Sequence, residues 1–80
     1  MPIQTIASPL PGTFYRAPEP GAPVFKSEGD TVAAGDTVGV IEVMKTFTPV
    51  TAETAGRLVR FLVENEDPIM AGQPLYELEG

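Results

Sequence analysis

Gly29-Asp30-Thr31-Val32-Ala33-Ala34-Gly35-Asp36-Thr37-Val38 is matched, 37 residues further on, by Glu66-Asp67-Pro68-Ile69-Met70-Ala71-Gly72-Gln73-Pro74-Leu75. Each copy runs acidic, apolar, small-glycine, polar, apolar at one spacing. A second pair, Gly12-Thr13-Phe14-Tyr15-Arg16 and Gly56-Arg57-Leu58-Val59-Arg60, stands 44 residues apart. The two offsets differ by about the length of Ala17-Pro18-Glu19-Pro20-Gly21-Ala22-Pro23, which reads as an insertion confined to the first copy. The chain is then two similar half-units, each of roughly four short strands. A half-unit has too little apolar area to fold alone, and even 80 residues bury only about 60% of their unfolded surface. Two halves facing each other can share one core, and pairing their edges would remove exposed edge strands.

The apolar pattern supports strands and not helices. From Val24 onward, short bursts of Val, Thr, Ile, Phe and Tyr alternate with glycine and aspartate turn signals. No window keeps the i, i+3, i+4, i+7 spacing over three turns. Short β-rich bursts with turn signals between them predict an all-β sandwich or barrel. Alternation fails at Arg60-Phe61-Leu62-Val63, where a β-bulge or a strand buried on both faces is expected. The proline-rich 17–23 segment reads as a stiff excursion outside the sheets, because proline fixes φ and lacks the amide donor.

Composition excludes several functions. The chain has no cysteine and no histidine, so it offers no disulfide, no thiolate metal site and no imidazole base. No cluster of the remaining carboxylates, hydroxyls and lysines has a catalytic spacing. A net charge of −6 opposes binding to nucleic acid or to an anionic membrane. No apolar run approaches the roughly 20 residues of a membrane span, and no signal-peptide pattern is present. A cytoplasmic protein is the default expectation.

The join between the two copies falls at Met44-Lys45, with Asp36–Val43 before it and Thr46–Thr51 after it, both reading as strand. A two-residue connection there makes a β-hairpin. The primed turns that suit such hairpins need positive φ and favour Asn or Gly, and neither is present. Strain of that kind gathers at functional sites. Lys45 is one of only two lysines, the other being Lys26. It is the obvious chemical handle. Pro49, in the strand leaving the hairpin, has to sit at an edge or a non-bonded position.

Glu42-Val43-Met44-Lys45 resembles the attachment site of the biotin/lipoyl attachment domain family, in particular the biotinyl domains of biotin carboxyl carrier proteins of acetyl-CoA carboxylase. Ser8-Pro9-Leu10-Pro11-Gly12-Thr13-Phe14-Tyr15-Arg16 resembles that group's opening. Glu28-Gly29-Asp30-Thr31-Val32 and Gly35-Asp36-Thr37-Val38 resemble its following turns. Leu62-Val63-Glu64 and Gly72-Gln73-Pro74-Leu75 resemble its closing strands. The likeness covers residues 6–79, in order and at matching spacing.

It implies one biotinyl domain over 1–80. The implied fold is a flattened β-barrel or sandwich of two four-stranded antiparallel halves with quasi-twofold symmetry. A thumb is implied at 17–24. It further implies covalent biotin on the Lys45 amine, with Glu42, Val43, Met44 and Thr46 around it and Pro18, Glu19 and Pro20 of the thumb touching the cofactor. The implied role is a non-catalytic, monomeric swinging-arm carrier in fatty acid biosynthesis. Its partners would be a biotin protein ligase, a biotin carboxylase and a carboxyltransferase. The chain opens on Met1 without the family's usual N-terminal extension, as a stand-alone carrier would. Two alternatives stay open: a lipoyl carrier domain, though such sites usually place aspartate before the lysine, and an unmodified β-barrel interaction module. Thr46 departs from the family, which has methionine on both sides of the lysine. In the family that second methionine matters more to use of the carrier than to modification of the lysine.

Overall fold

A computed structural model describes residues 2–80. Eight strands run in order: β1 (Ile3–Ala7), β2 (Gly12–Tyr15), β3 (Thr31–Val32), β4 (Thr37–Val43), β5 (Thr46–Thr51), β6 (Gly56–Phe61), β7 (Asp67–Ile69) and β8 (Pro74–Glu79). There is no helix among the described residues. They form two antiparallel four-stranded sheets, ordered β1-β8-β6-β3 and β5-β4-β2-β7. Phe14, Val32, Val38, Ile41, Leu58, Leu75, Tyr76 and Leu78 fill the space between the sheets.

The two-half reading holds, with one correction to how the halves combine. They do not face each other as separate sheets. Each half gives two strands to each sheet: β1 and β3 of the first half join β6 and β8, and β2 and β4 join β5 and β7. The quasi-twofold therefore exchanges β1 with β5, β2 with β6, β3 with β7 and β4 with β8. Edges also remain, since β1, β3, β5 and β7 each pair on one side only. Pro49 lies on the edge strand β5, opposite Val40 of β4, where its missing N–H costs no ladder bond.

The symmetry extends to individual hydrogen bonds. The Ser27 amide donates to Asp30 Oδ2 at 2.8 Å, and the Glu64 amide donates to Asp67 Oδ2 at 2.8 Å. The Ala33 amide donates to Asp36 Oδ2, and the Met70 amide to Gln73 Oε1, each at 2.9 Å. Gly35 and Gly72 take φ of 92° and 83° in the turns between. A β-carbon is disfavoured in that region, which is why glycine recurs in both copies. Val32 and Ile69 are both buried.

Two equivalences break in a compensating way. Gly39 leaves room for the Phe14 ring, which a Cβ at 39 would approach to 2.6 Å. In the other half the large ring is Tyr76, at the position equivalent to Gly39, and the position equivalent to Phe14 is the smaller Leu58. The predicted irregularity at 60–63 also lies slightly earlier. The register shift falls between Leu58 and Arg60 of β6, and the strand ends at Phe61. Placing Val59 as the extra residue lets Leu58 stay in the core while Arg60 pairs outward with Glu77 at 2.8 Å.

Gly39→Ala is expected to lower stability by about 1–3 kcal/mol through overpacking. Phe14→Leu, which copies the other half, should recover part of that loss and not all, because the Tyr15 carbonyl also stands 2.8 Å from the added carbon. A denaturant double-mutant cycle measures the coupling, and strictly additive losses would contradict it. A second expectation concerns acid. The Ala33 amide, and then Lys26, hold the Asp36 carboxyl below its ordinary value. The Arg57 guanidinium does the same for Glu79. Because the folded values lie below the unfolded ones, this stabilisation is complete above about pH 5 and is lost as pH falls through the folded values. The thermal midpoint should therefore drop between about pH 5 and pH 3, and the slope should be shallower in Asp36→Asn.

Candidate functional site: the β4–β5 hairpin

β4 and β5 pair from Thr37↔Thr51 to Val43↔Thr46, leaving Met44 and Lys45 as a two-residue turn. Met44 has φ of 49° and Lys45 of 67°. Both sit in the left-handed region that a primed hairpin turn requires. Neither is glycine or asparagine, and each such residue costs about 1–2 kcal/mol. The length of the β4–β5 ladder holds the turn in this shape. So does a side-chain bond: the Lys45 amide donates to Glu42 Oε2 at 2.7 Å. Glu42 thus acts on the turn, closing the amide that two positive-φ residues leave without a ladder partner.

The strain presents two long side chains to solvent. Met44 is 92% exposed, and Lys45 and Thr46 are exposed beside it. Val43 is 37% exposed and Phe47 56%. Lys26 pairs with Asp36 at 3.0 Å, Arg57 with Glu79 and Arg60 with Glu77 at 2.8 Å each. The Arg16 guanidinium lies 4.3 Å from the centre of the Phe61 ring. Among the described residues Lys45 is the one cation whose side chain has no such partner. Lys26, the only other lysine, also gives Nζ to the Thr31 carbonyl at 3.3 Å. Its amine is engaged.

The thumb is anchored at its two ends. The Phe25 amide donates to the Arg16 carbonyl at 2.9 Å, and the Arg16 amide to Asn65 Oδ1 at 2.8 Å. Between the thumb and the 64–66 loop lies a cavity of about 140 Å³ whose lining includes Tyr15, Arg16, Glu19, Pro20, Asn65 and Glu66. Pro18 does not line it. Arg16 Nε is buried with no protein acceptor. Glu66 holds φ of 69°, where its symmetry equivalent is Gly29. Sequence reasoning missed Arg16, Asn65 and Glu66. Glu66 could have been found, because it is the position where the repeat replaces a turn glycine by an acid. The Tyr15 ring, 6.4 Å from Phe47, connects this cavity to the hairpin.

A larger cavity of about 410 Å³ opens between the edge strands β1 and β5. None of the hairpin residues 42–47 lines it. Tyr76 stands at its wall with its hydroxyl buried and without a protein partner. Burial, and then the charge of Glu53, raise its ionisation above the ordinary tyrosine value. Among the described residues no three His, Cys, Asp or Glu side chains are grouped to hold a metal, and no helix is long and apolar enough to cross a membrane.

Removing the Glu42 carboxylate should loosen the turn. In Glu42→Ala the Lys45 amide is expected to exchange with solvent at least several-fold faster, with a stability loss of about 0.5–1.5 kcal/mol. Glu42→Gln keeps an acceptor and should lie between. Hydrogen exchange read residue by residue checks this, and an unchanged Lys45 rate in Glu42→Ala would dismiss the clamp.

Comparison with known proteins agrees with this geometry. The biotin carboxyl carrier protein of acetyl-CoA carboxylase from Nostoc sp. is 43% identical over 77 residues, covering 96% of this chain and 42% of that protein. The protein of that name from Chlamydia trachomatis is 42% identical over 73 residues, covering 91% and 44%. The chain thus spans less than half the length of these relatives. Among solved structures, a single-chain, multi-domain long-chain acyl-CoA carboxylase superposes with a TM-score of 0.80 at 26% identity, covering 98% of this chain and 7% of that one. The Kluyveromyces lactis urea carboxylase superposes at 0.79 and 32% identity, covering 98% and 6%. The family model described as "Biotin-requiring enzyme" matches residues 4–78, and the chain belongs to that biotin/lipoyl attachment family.

Proposed function

We propose that this chain is a biotin carboxyl carrier, with biotin joined through an amide to Nζ of Lys45. The observation that carries the reading is the lysine itself. It stands at the tip of a strained hairpin, and among the described residues it is the one cation with no partner. The similar carriers of acetyl-CoA carboxylase favour biotin over lipoate and point to acetyl-CoA carboxylation. Lys26 is protected from the same fate by its bond to Asp36.

A biotin protein ligase would supply an activated biotinyl group. Nζ loses one proton to that enzyme before it attacks the acyl carbon and a second as the activating group leaves, and a neutral amide replaces the cation. When bound, biotin supplies a ureido nitrogen that accepts carboxylate and gives it up again. The chain's own residues hold and present that group. Met44 and Lys45, fixed at positive φ, aim the arm away from the body, and Glu42 keeps the turn closed. The thumb cavity fits a ureido ring in its chemistry. Arg16 brings a guanidinium to its lining, and Glu19 and Glu66 bring acceptors. Glu19 and Pro20, which line that cavity, are the thumb residues we assign to the contact. Val43 and Thr46 close the hairpin and flank the lysine.

Catalysis belongs to the partners, a biotin carboxylase and a carboxyltransferase. The carrier contributes tethering, with an effective concentration on the order of millimolar at each active site. Intact mass after coexpression with a biotin protein ligase tests the site. Wild type should gain one biotinyl group, and Lys45→Arg should gain none while keeping its thermal midpoint. Incorporation that persists in Lys45→Arg, appears on Lys26 or carries the mass of lipoate would overturn the reading.

A further inference from the structure

The quasi-twofold supplies an internal control for the two outer faces of the sandwich. In the β5-β4-β2-β7 sheet, Phe14 and Ile41 point into the core and are fully buried. Their neighbours therefore point outward, in two rows: Thr13–Glu42–Phe47 and Tyr15–Val40–Pro49. The Tyr15 and Phe47 rings approach across β4, at 6.4 Å and 53°. Val40 is only 8% exposed although it lies outside the core cluster. On the other sheet the equivalent rows are Arg57–Glu79–Ile3 and Arg60–Glu77–Thr5. There the ion pairs Arg57–Glu79 and Arg60–Glu77 cover the surface. The place of Tyr15 and Val40 on one face is thus held by the Arg60–Glu77 ion pair on the other, while Phe47 and its equivalent Ile3 are both exposed apolar side chains, at 56% and 53%. The fold does not require Tyr15 and Val40 there, since an outer sheet face is ordinarily polar.

We propose that this outer face, centred on Phe47 and Tyr15, is the docking surface for the enzyme that acylates Lys45. The proposal rests on Lys45 being the modified residue. Continuity selects the occupant. Phe47 is two residues from Lys45 and directly opposite Glu42, whose carboxylate holds the Lys45 amide. Reach selects it too. An enzyme acting on Nζ has only one lysine side chain, about 6 Å, between the turn and its active site. It has to close around the tip, and the Phe47 row lies about 7 Å behind it. An enzyme acting at the end of a long arm stands further off. The partner surface has an apolar hollow for the Phe47 ring, where an aromatic anchor contributes most. Its rim is basic, matching a chain of net charge −6.

Steady-state ligation with biotin, ATP and a biotin protein ligase tests this. Phe47→Thr should raise KM for the carrier tenfold or more with kcat within twofold, and Phe47→Leu should lie between. Ile3→Thr, at the equivalent position on the other face, should leave both constants unchanged. Unlabelled Lys45→Arg should compete with wild type, and Lys45→Arg/Phe47→Thr should not. Thermal midpoints confirm that each variant is folded, as expected for a ring that is 56% exposed. An unchanged KM in Phe47→Thr, or an equal rise in Ile3→Thr, would overturn the proposal. So would normal ligation with loss only of later carboxyl transfer. Wild type that takes up no biotin at all would instead overturn the reading of Lys45, and the docking proposal with it.

Discussion

Ser8 and Ala52 each exchange two backbone hydrogen bonds with the glycine turn that faces them. The Gly35 amide donates to the Ala52 carbonyl at 2.8 Å, and the Ala52 amide to the Asp36 carbonyl at 2.9 Å. The Gly72 amide donates to the Ser8 carbonyl at 2.8 Å, and the Ser8 amide to the Gln73 carbonyl at 2.8 Å. Each turn leads from a short edge strand in one sheet to a long central strand in the other. These reciprocal bonds therefore lock the crossing points at which the halves are threaded together. Two sheets of four short strands have little core with which to resist sliding. The crossings oppose that motion, because moving one sheet breaks a bonded turn in both halves.

Interlocking also explains why strain is tolerable at the hairpin. The quasi-twofold relates the β4–β5 turn to the place where β8 and β1 meet, and there the Gly80 amide donates to the Pro2 carbonyl at 3.4 Å. One end of the body thus carries a covalent turn, and the equivalent end carries the two ends of the described chain. The body does not depend on the turn's own conformational preference. Positive φ at Met44 and Lys45 is held by the ladder behind them and by Glu42. The carrier role proposed for Lys45 gains from such a mount, since a residue fixed at a tip gives up less freedom when it enters a cleft.

The repeat was legible because its turn chemistry is local. Asp30 and Asp67 bond amides three residues away, and Gly35 and Gly72 take the φ that only glycine adopts freely. The pairing of the halves was not legible, because β2 with β7 and β6 with β3 are long-range contacts that leave no mark on spacing. The bulge was read slightly too late for a related reason. Alternation fails visibly at 60–63, but the extra residue sits between Leu58 and Arg60, where burial of Leu58 and pairing of Arg60 decide the register. The turn itself contradicts local propensity, so Lys45 is legible from the junction of the repeat and the scarcity of lysine, and its modification only from the likeness of Glu42-Val43-Met44-Lys45 to a known motif. The roles of Glu42 and Arg16 depend on partners and burial that a linear reading does not contain.

Pseudo-symmetry also separates what the fold needs from what it does not. Positions that repeat in chemistry, such as the turn carboxylates and the Val32–Ile69 pair, are set by folding. Positions that repeat in space but differ in chemistry are free of that requirement. Gly39 with Phe14 against Tyr76 with Leu58 is one such difference, and volume compensation accounts for it. Glu66 at positive φ against Gly29, and Tyr15 with Val40 against Arg60 with Glu77, are others, and no packing compensation accounts for them. Both lie toward the thumb and the Lys45 hairpin, and the Tyr15 ring joins them by lining the thumb cavity and meeting Phe47. The departures from symmetry thus gather on one side of a body whose frame is nearly symmetric. That is the expected distribution when folding sets the frame and a site at the Lys45 hairpin, as proposed, sets the rest.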